Sequence, residues 1–201
     1  MDFATKIASG SYQLGIFSAQ EAYGPDYSAA LAALATFVQG GGKAIVDSWF
    51  TPAGSDLTPF GATPTGDVNG PAVSLTAFNG GIANPVVLTN PVPPYADFST
   101  GESLDPVAGT AIDGTFFDPG NASGTDGEAA VVSGNAGRSI VNGFLNDTAG
   151  AKGMQLYENE IGALLAPATA PEPATLTLLG AGVVSLLGYS RLRRRKVAIP
   201  A

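Results

Sequence analysis

Two carboxylates stand where an alternating α/β chain places reactive groups. Asp47 lies near the end of one apolar run, and Glu21 follows an earlier run at residues 12–18. Open α/β sheets bind ligands at the carboxyl ends of their strands, so both side chains are predicted at that edge. A carboxylate pair can act there as general acid and general base. Loop capping and solvent exposure are the competing interpretations of both residues.

A second group of oxygen-bearing side chains lies in and around a loop rich in Asp, Gly and Asn, at residues 116–127. Such oxygens are the ligands that Ca²⁺ prefers. The loop lacks the Asp-x-Asp-x-Asp-Gly spacing of an EF-hand, so a solvated acidic surface is the alternative and no firm metal site is predicted. The weak calcium candidates are Asp118, Asn121, Asp126 and Glu128, with Asp113 preceding them.

The chain contains no Cys and no His. This excludes Ser-His-Asp and Cys-His catalysis within the chain, and it also excludes imidazole and thiolate metal sites. We therefore expect no cofactor and no enzymatic activity, unless carboxylates alone perform the chemistry.

The first half of the chain predicts a strand–helix–strand unit. Strands are predicted at residues 12–18 and 43–49, with a helix between them that Asp26 or Ser28 can cap and that Gly40–Gly42 ends. The apolar face of this helix recurs at helical spacing at Leu31, Leu34, Phe37 and Val38. Such a unit predicts parallel pairing of its two strands.

The middle of the chain, residues 50–130, is rich in Gly, Pro and Asp and predicts long irregular loops. A hairpin turn is predicted at residues 134–137. The short strands predicted in this region and after it cover residues 73–78, 86–89, 129–132 and 139–145.

A helix over residues 153–165 is predicted to close the domain. Its predicted apolar face consists of Met154, Tyr157, Ile161, Leu164 and Leu165. Glu158 and Glu160 are assigned to its polar face, where solvated charge is the expectation.

Charge is distributed unevenly along the chain. It has 17 Asp and Glu residues and nine Lys and Arg residues. All the acids except Glu172 precede residue 171, whereas five of the bases lie at residues 191–196. The acidic part disfavours nucleic acid and anionic lipid as partners and suits a solvated extracellular surface.

The end of the chain has three parts in order: Pro171-Glu172-Pro173, an uncharged run at 174–190, and a basic cluster. The uncharged run gives about 25 Å of helix, near the short limit for a bilayer core of about 30 Å. Cations favour the cytoplasmic side, so the preceding domain is predicted outside the cytoplasm. The orienting cations are Arg191, Arg193, Arg194, Arg195 and Lys196.

This tripartite end resembles the PEP-CTERM sorting signal of Gram-negative bacteria. The resemblance implies recognition by exosortase, a membrane transpeptidase-like protease, and delivery to the cell surface or the extracellular matrix. It also implies an inner-membrane stage with an extracytoplasmic N-terminal domain and a cytoplasmic C-terminus before processing. An ordinary C-terminal tail anchor with a chance Pro-Glu-Pro is the alternative.

Residues 1–10 lack the basic and apolar regions of a secretory signal, which proteins with this ending normally carry. We therefore expect the natural chain to begin upstream of Met1.

Residues 34–46, 138–147 and 155–161 are similar to parts of class I glutamine-amidotransferase-like domains. The first segment resembles their helix–Gly-Gly–strand unit, and the other two resemble their closing strand and helix. Catalytic members use a Cys-His pair that this chain lacks, so no catalytic residue is carried over. The family's first βα unit has no counterpart in this chain, a second reason to expect a longer natural protein.

Together these patterns predict an α/β protein with a partial flavodoxin-like, amidotransferase-like parallel sheet, long Gly/Pro-rich loops and one C-terminal transmembrane helix. The predicted divisions are a domain at 1–165, a linker at 166–170, the signal at 171–196 and a tail at 197–201. The expected function is an exported envelope or matrix protein with a non-catalytic domain. Its expected partners are exosortase, the inner membrane and exopolysaccharide. The alternatives are a carboxylate-based hydrolase acting on envelope polysaccharide and a calcium-binding, adhesin-like surface module.

Overall fold

A computed structural model describes residues 2–18, 25–52, 55–68, 72–88, 101–117 and 127–166. Contacts within the chain divide it into two units after Leu165. The described residues of the first unit form a mixed α/β fold with one sheet and three α-helices. The helices are α1 (Phe3–Ala8), α2 (Pro25–Gln39) and α3 (Ala151–Leu165).

The sheet has nine strands within the described residues. They are β1 (Leu14–Ser18), β2 (Lys43–Asp47), β3 (Ala62–Val68), β4 (Ala72–Leu75), β5 (Val86–Val87), β6 (Gly101–Pro106), β7 (Ala111–Phe117), β8 (Ala129–Gly134) and β9 (Ser139–Asn142). The main path runs β1-β2-β9-β8-β7-β4-β5. Strand β3 lies off this path and pairs with β6, which reaches β8 at Leu104.

The predicted strand–helix–strand unit is confirmed, because β1 and β2 pair in parallel on either side of α2 in the chain. Strand β9 joins β2 in parallel as well. The wider prediction of a parallel sheet is wrong beyond these three strands, since every other pairing among the described strands is antiparallel. A short turn after Gly134 leads directly from β8 into β9, and so short a connection permits only antiparallel neighbours.

The two faces of the sheet are covered by different helices. Successive side chains of a strand point to opposite faces, so Val46 packs with Leu34 of α2, while Ile45 packs with Leu156 of α3. By the same alternation, Asp47 lies on the α3 face. Two buried apolar clusters, one on each face, therefore hold β2 at the centre of the fold.

Three strands and one helix lie where the sequence predicts none. Strands β3, β6 and β7 occupy the stretch assigned to irregular loops, and α1 precedes the first predicted strand. Strand β3 contains Pro64 and Gly66, between which its register shifts, and in the described part of the sheet it pairs only with β6. Proline is tolerated on such an edge strand, but it gives little β-signal in the sequence.

Helix α3 is confirmed, but its buried face differs from the predicted one. Met154, predicted to be inside, is 61% exposed. The buried positions include Leu156, Glu160 and Leu164, which are spaced four residues apart. Glu160 is fully buried, so the expectation of a solvated carboxylate is wrong at that position.

Within the ranges that the structure describes, no helix combines the length and the apolar character needed to cross a bilayer. The predicted transmembrane helix at 174–190 lies outside those ranges.

Candidate functional site

A row of polar side chains crosses the carboxyl ends of the three parallel strands. Ser18 of β1 is the register partner of Asp47 in β2, which in turn is the partner of Asn142 in β9. Parallel partners point to the same face of a sheet, so this row faces α3. Helix α3 adds Tyr157 and Glu160.

Asp47 is fully buried, and the hydrogen-bond donors that face it among the described residues are uncharged. Its Oδ1 accepts from Asn142 Nδ2 at 3.0 Å, and its Oδ2 accepts from the Tyr157 hydroxyl and, at 3.4 Å, from the Asn146 backbone N–H. Burial raises the pKa of Asp47 to about 6, although the donors, including Ser18, act in the opposite direction.

Glu160 is the second buried carboxyl of the site. Its Oε2 accepts from Asn142 Nδ2 at 3.3 Å and from Asn146 Nδ2 at 3.5 Å. Burial, followed by the nearby charge of Asp47, raises the pKa of Glu160 well above its usual value. Within the described part of the chain, no Lys or Arg pairs with either carboxyl. We call this group the Asp47–Glu160 cluster, consisting of Asp47, Asn142, Asn146, Tyr157 and Glu160.

A separate buried carboxyl, Glu102 of β6, lies among hydroxyl groups. Its Oε2 accepts from Thr51 Oγ1 at 2.6 Å and from Ser48 Oγ at 3.1 Å, and its Oε1 accepts from the Thr51 N–H at 3.3 Å. Burial raises the pKa of Glu102, against the effect of these donors. The group ties the segment after β2 to β6.

Replacing Thr51 by valine should destabilise the protein by about 1.5–3 kcal/mol, because it removes a hydroxyl donor from a buried carboxyl at nearly constant volume. Urea unfolding followed by fluorescence of the buried Trp49 measures this change. Thr36→Val is the matched control, since the Thr36 hydroxyl lies on the exposed face of α2. Its loss should change the free energy of unfolding by less than about 0.5 kcal/mol. Equal losses in the two variants would contradict the role assigned to Thr51.

The predicted acid–base pair is only partly described. Asp47 lies at the predicted edge of the sheet, whereas Glu21 falls outside the described residues. The carboxyl that accompanies Asp47 in the structure is Glu160, which sequence reasoning placed in solvent. The usable signal was its spacing of four residues from both Leu156 and Leu164. Neither Asp47 nor Glu160 has exposed surface, so a polymer cannot reach them without local opening.

The predicted calcium loop also falls largely outside the described residues, because Asp118, Asn121 and Asp126 lie there. Glu128 is exposed just before β8, and Asp113 is half-buried in β7. In the ranges that are described, no three His, Cys, Asp or Glu side chains come together as a metal site.

A groove of about 730 Å³ lies at the opposite, amino-terminal end of β2. Gly40–Gly42 form part of its wall, together with Tyr12 and Phe37. Lys43 also lines it but donates its ammonium group to the Leu164 carbonyl near the end of α3. The triple glycine predicted to end a helix therefore also shapes a concave surface, remote in the fold from the buried carboxyls.

Comparison with protein families concerns the end of the chain. The family model for the PEP-CTERM protein-sorting motif matches residues 169–196. No curated protein matches the chain. The matched segment contains Pro171, Glu172 and Pro173, the uncharged run and the basic cluster, all of which lie outside the described residues.

Proposed function

We propose that this PEP-CTERM protein is an exported cell-envelope or extracellular-matrix protein that exosortase sorts through residues 171–196. The match to the sorting motif carries the proposal. Pro171 and Pro173 lack backbone N–H donors and disfavour helix at and before their own positions. The Pro-Glu-Pro segment therefore presents an extended backbone to exosortase at the outer face of the inner membrane.

The remaining parts of the motif set how deeply the segment enters the membrane and which of its ends faces the cytoplasm. Residues 174–190 carry no charge and form the membrane helix, and the cluster Arg191 to Lys196 stays on the cytoplasmic side. The domain at 1–165 then lies outside the cytoplasm before processing, and the protein reaches the cell surface or the matrix after sorting. The position of the five cations supports this arrangement, because Lys and Arg directly beside a membrane segment favour the cytoplasmic side.

The domain itself acts as a non-catalytic module in this proposal, with exopolysaccharide as its partner in the matrix. Two observations support it: the chain has no Cys or His, and Asp47 and Glu160 are fully buried. The parallel trio β1, β2 and β9 with α2 supports a degenerate amidotransferase-like origin. Cleavage of envelope polysaccharide by the wild-type protein, lost in Asp47→Asn, would instead favour the carboxylate-based hydrolase.

Deleting residues 191–196 should mislocalise most of the protein, because the membrane segment loses the charges that orient it. Fractionation of cells that contain exosortase measures how the protein is distributed between the cell fractions. Protease added to the cells reports on which side of the membrane the domain at 1–165 lies. Deleting residues 197–201 is the matched control, since it shortens the same end without removing a charged side chain.

Replacing the four arginines of the cluster by lysine keeps the charge and should leave sorting unchanged. Normal sorting of the 191–196 deletion would contradict the signal function. Normal sorting in cells lacking exosortase would contradict the proposed partner.

A further inference from the structure

Three side-chain oxygens of the Asp47–Glu160 cluster are buried and accept no hydrogen bond from the part of the chain that the structure describes. They are Asn142 Oδ1, Asn146 Oδ1 and Glu160 Oε1, and all three residues are fully buried. Buried polar atoms are nearly always paired, so three orphaned acceptors in one cluster indicate that the donors of the described residues do not satisfy this cluster.

These groups converge on a small volume. A single nitrogen, Asn142 Nδ2, lies 3.0 Å from Asp47 Oδ1 and 3.3 Å from Glu160 Oε2. Asn146 Nδ2 lies 3.5 Å from the same Glu160 oxygen. Each orphaned amide oxygen shares its carbon with one of these nitrogens, so the two side-chain amides and the two carboxyls form one connected buried cluster.

The donors now facing the carboxyls can be exchanged for acceptors without moving the backbone. A half-turn of the Asn142 and Asn146 side-chain amides places each Oδ1 where Nδ2 now lies, and each Nδ2 then takes the position at which Oδ1 is unpaired. The two carboxyls would then share their space with two carbonyl oxygens, an all-oxygen ligand set. Oxygen ligands of this kind suit hard cations rather than transition metals.

We propose that the Asp47–Glu160 cluster is a binding site for one divalent cation, with Ca²⁺ preferred over Mg²⁺. Two carboxylates balance a double positive charge, and no described Lys or Arg does so in its place. Mg²⁺ usually keeps several waters in strict octahedral geometry, whereas Ca²⁺ accepts protein oxygens in an irregular coordination geometry. Complete burial of four ligand residues leaves little room for a hydration shell and therefore favours Ca²⁺.

The cluster lies close to the protein surface. Tyr157 is only half-buried and donates its hydroxyl to Asp47, while Ser18, the register partner of Asp47, is exposed. The site is distinct from the acidic loop predicted at Asp118, Asn121 and Asp126, and it does not depend on the sorting function.

Calcium titration of the full chain in detergent tests the proposal by calorimetry and by thermal unfolding. At a calcium concentration about 100 times Kd, Tm should rise by about 5–10 °C, and Mg²⁺ should give a smaller shift at equal concentration. Glu160→Gln and Asp47→Asn should abolish both the heat and the shift. Glu158→Gln is the matched control, because that carboxylate is exposed on the same helix, and it should behave as wild type.

The site would be overturned by the absence of heat and of a Tm shift with wild type at millimolar calcium, or by a full response in Glu160→Gln. A response lost in Asp118→Asn/Asp126→Asn but kept in Glu160→Gln would assign calcium to the loop and also overturn it. If Glu160→Gln fails to fold, terbium luminescence sensitised by tyrosine tests the site in wild type and in two tyrosine variants instead. Calcium should displace the terbium signal of wild type, and Tyr157→Phe should weaken that signal relative to Tyr12→Phe. Equal signals in the two tyrosine variants, or none in wild type, would reject the site.

Discussion

Gly153→Ala is expected to destabilise the protein by about 3 kcal/mol, whereas Gly162→Ala, on the same helix, should stabilise it by about 0.5–1 kcal/mol. A Cβ on Gly153 would collide with the Asn146 carbonyl oxygen. A backbone oxygen cannot swing aside as a flexible side chain can, so α3 or the turn Asn146–Ala149 must shift. A Cβ on the exposed Gly162 meets no atom within 4 Å and only gains helix propensity.

Urea unfolding monitored through Trp49 measures both variants. Because Asn146 belongs to the Asp47–Glu160 cluster, Gly153→Ala should also weaken any calcium response of that cluster. Equal shifts of the two alanine variants would show that α3 does not approach the turn so closely.

Glu160→Ala is expected to lower the free energy of unfolding by about 2–4 kcal/mol in the absence of added cation. It leaves a cavity among Leu156, Leu164 and the sheet, and it removes the side-chain acceptor of Asn146 Nδ2. Glu158→Ala supplies the control, since it removes the same atoms from an exposed position and should stay within about 0.5 kcal/mol of wild type. The free energies of unfolding from urea titrations, measured with chelator present, give the comparison. A Glu160→Ala protein as stable as Glu158→Ala would mean that the cluster adds no net stability.

These two glutamates illustrate where sequence reasoning succeeds and fails at the site. Asp47 could be singled out because the end of a predicted parallel strand has a defined position in the fold. Glu158 and Glu160 are two residues apart on one helix, and only the choice of buried face separates them. The predicted face began at Met154, which is exposed, although a spacing of four through Leu156 and Leu164 selects Glu160. The helix sequence is compatible with both faces, and packing against the sheet decides between them.

The fold shows a similar division. Strands β1, β2, β8 and β9 and helix α2 have strong apolar runs or clear ends, and the sequence predicts them. Strand β3 contains Ala62-Thr-Pro-Thr-Gly-Asp-Val68, which has low strand propensity and forms through pairing with β6. Contacts between segments far apart in the chain are invisible to local patterns, as in the bond from Thr65 to the Ser103 carbonyl. Long-range pairing therefore explains most of the missed strands.

The position of β9 between β2 and β8 has a consequence for the order of events during synthesis. Asp47 and Asn142 are register partners although 95 residues separate them in the chain. During synthesis, one edge of β2 therefore has no partner strand until residues 139–142 have left the ribosome. The face of the sheet that packs against α3 stays uncovered until residues 151–165 have been made. In the described sheet, β9 is the strand that links the β1–β2 pair to β8 and the strands beyond it. The two parts of this sheet therefore cannot join until translation of residues 1–165 is nearly complete.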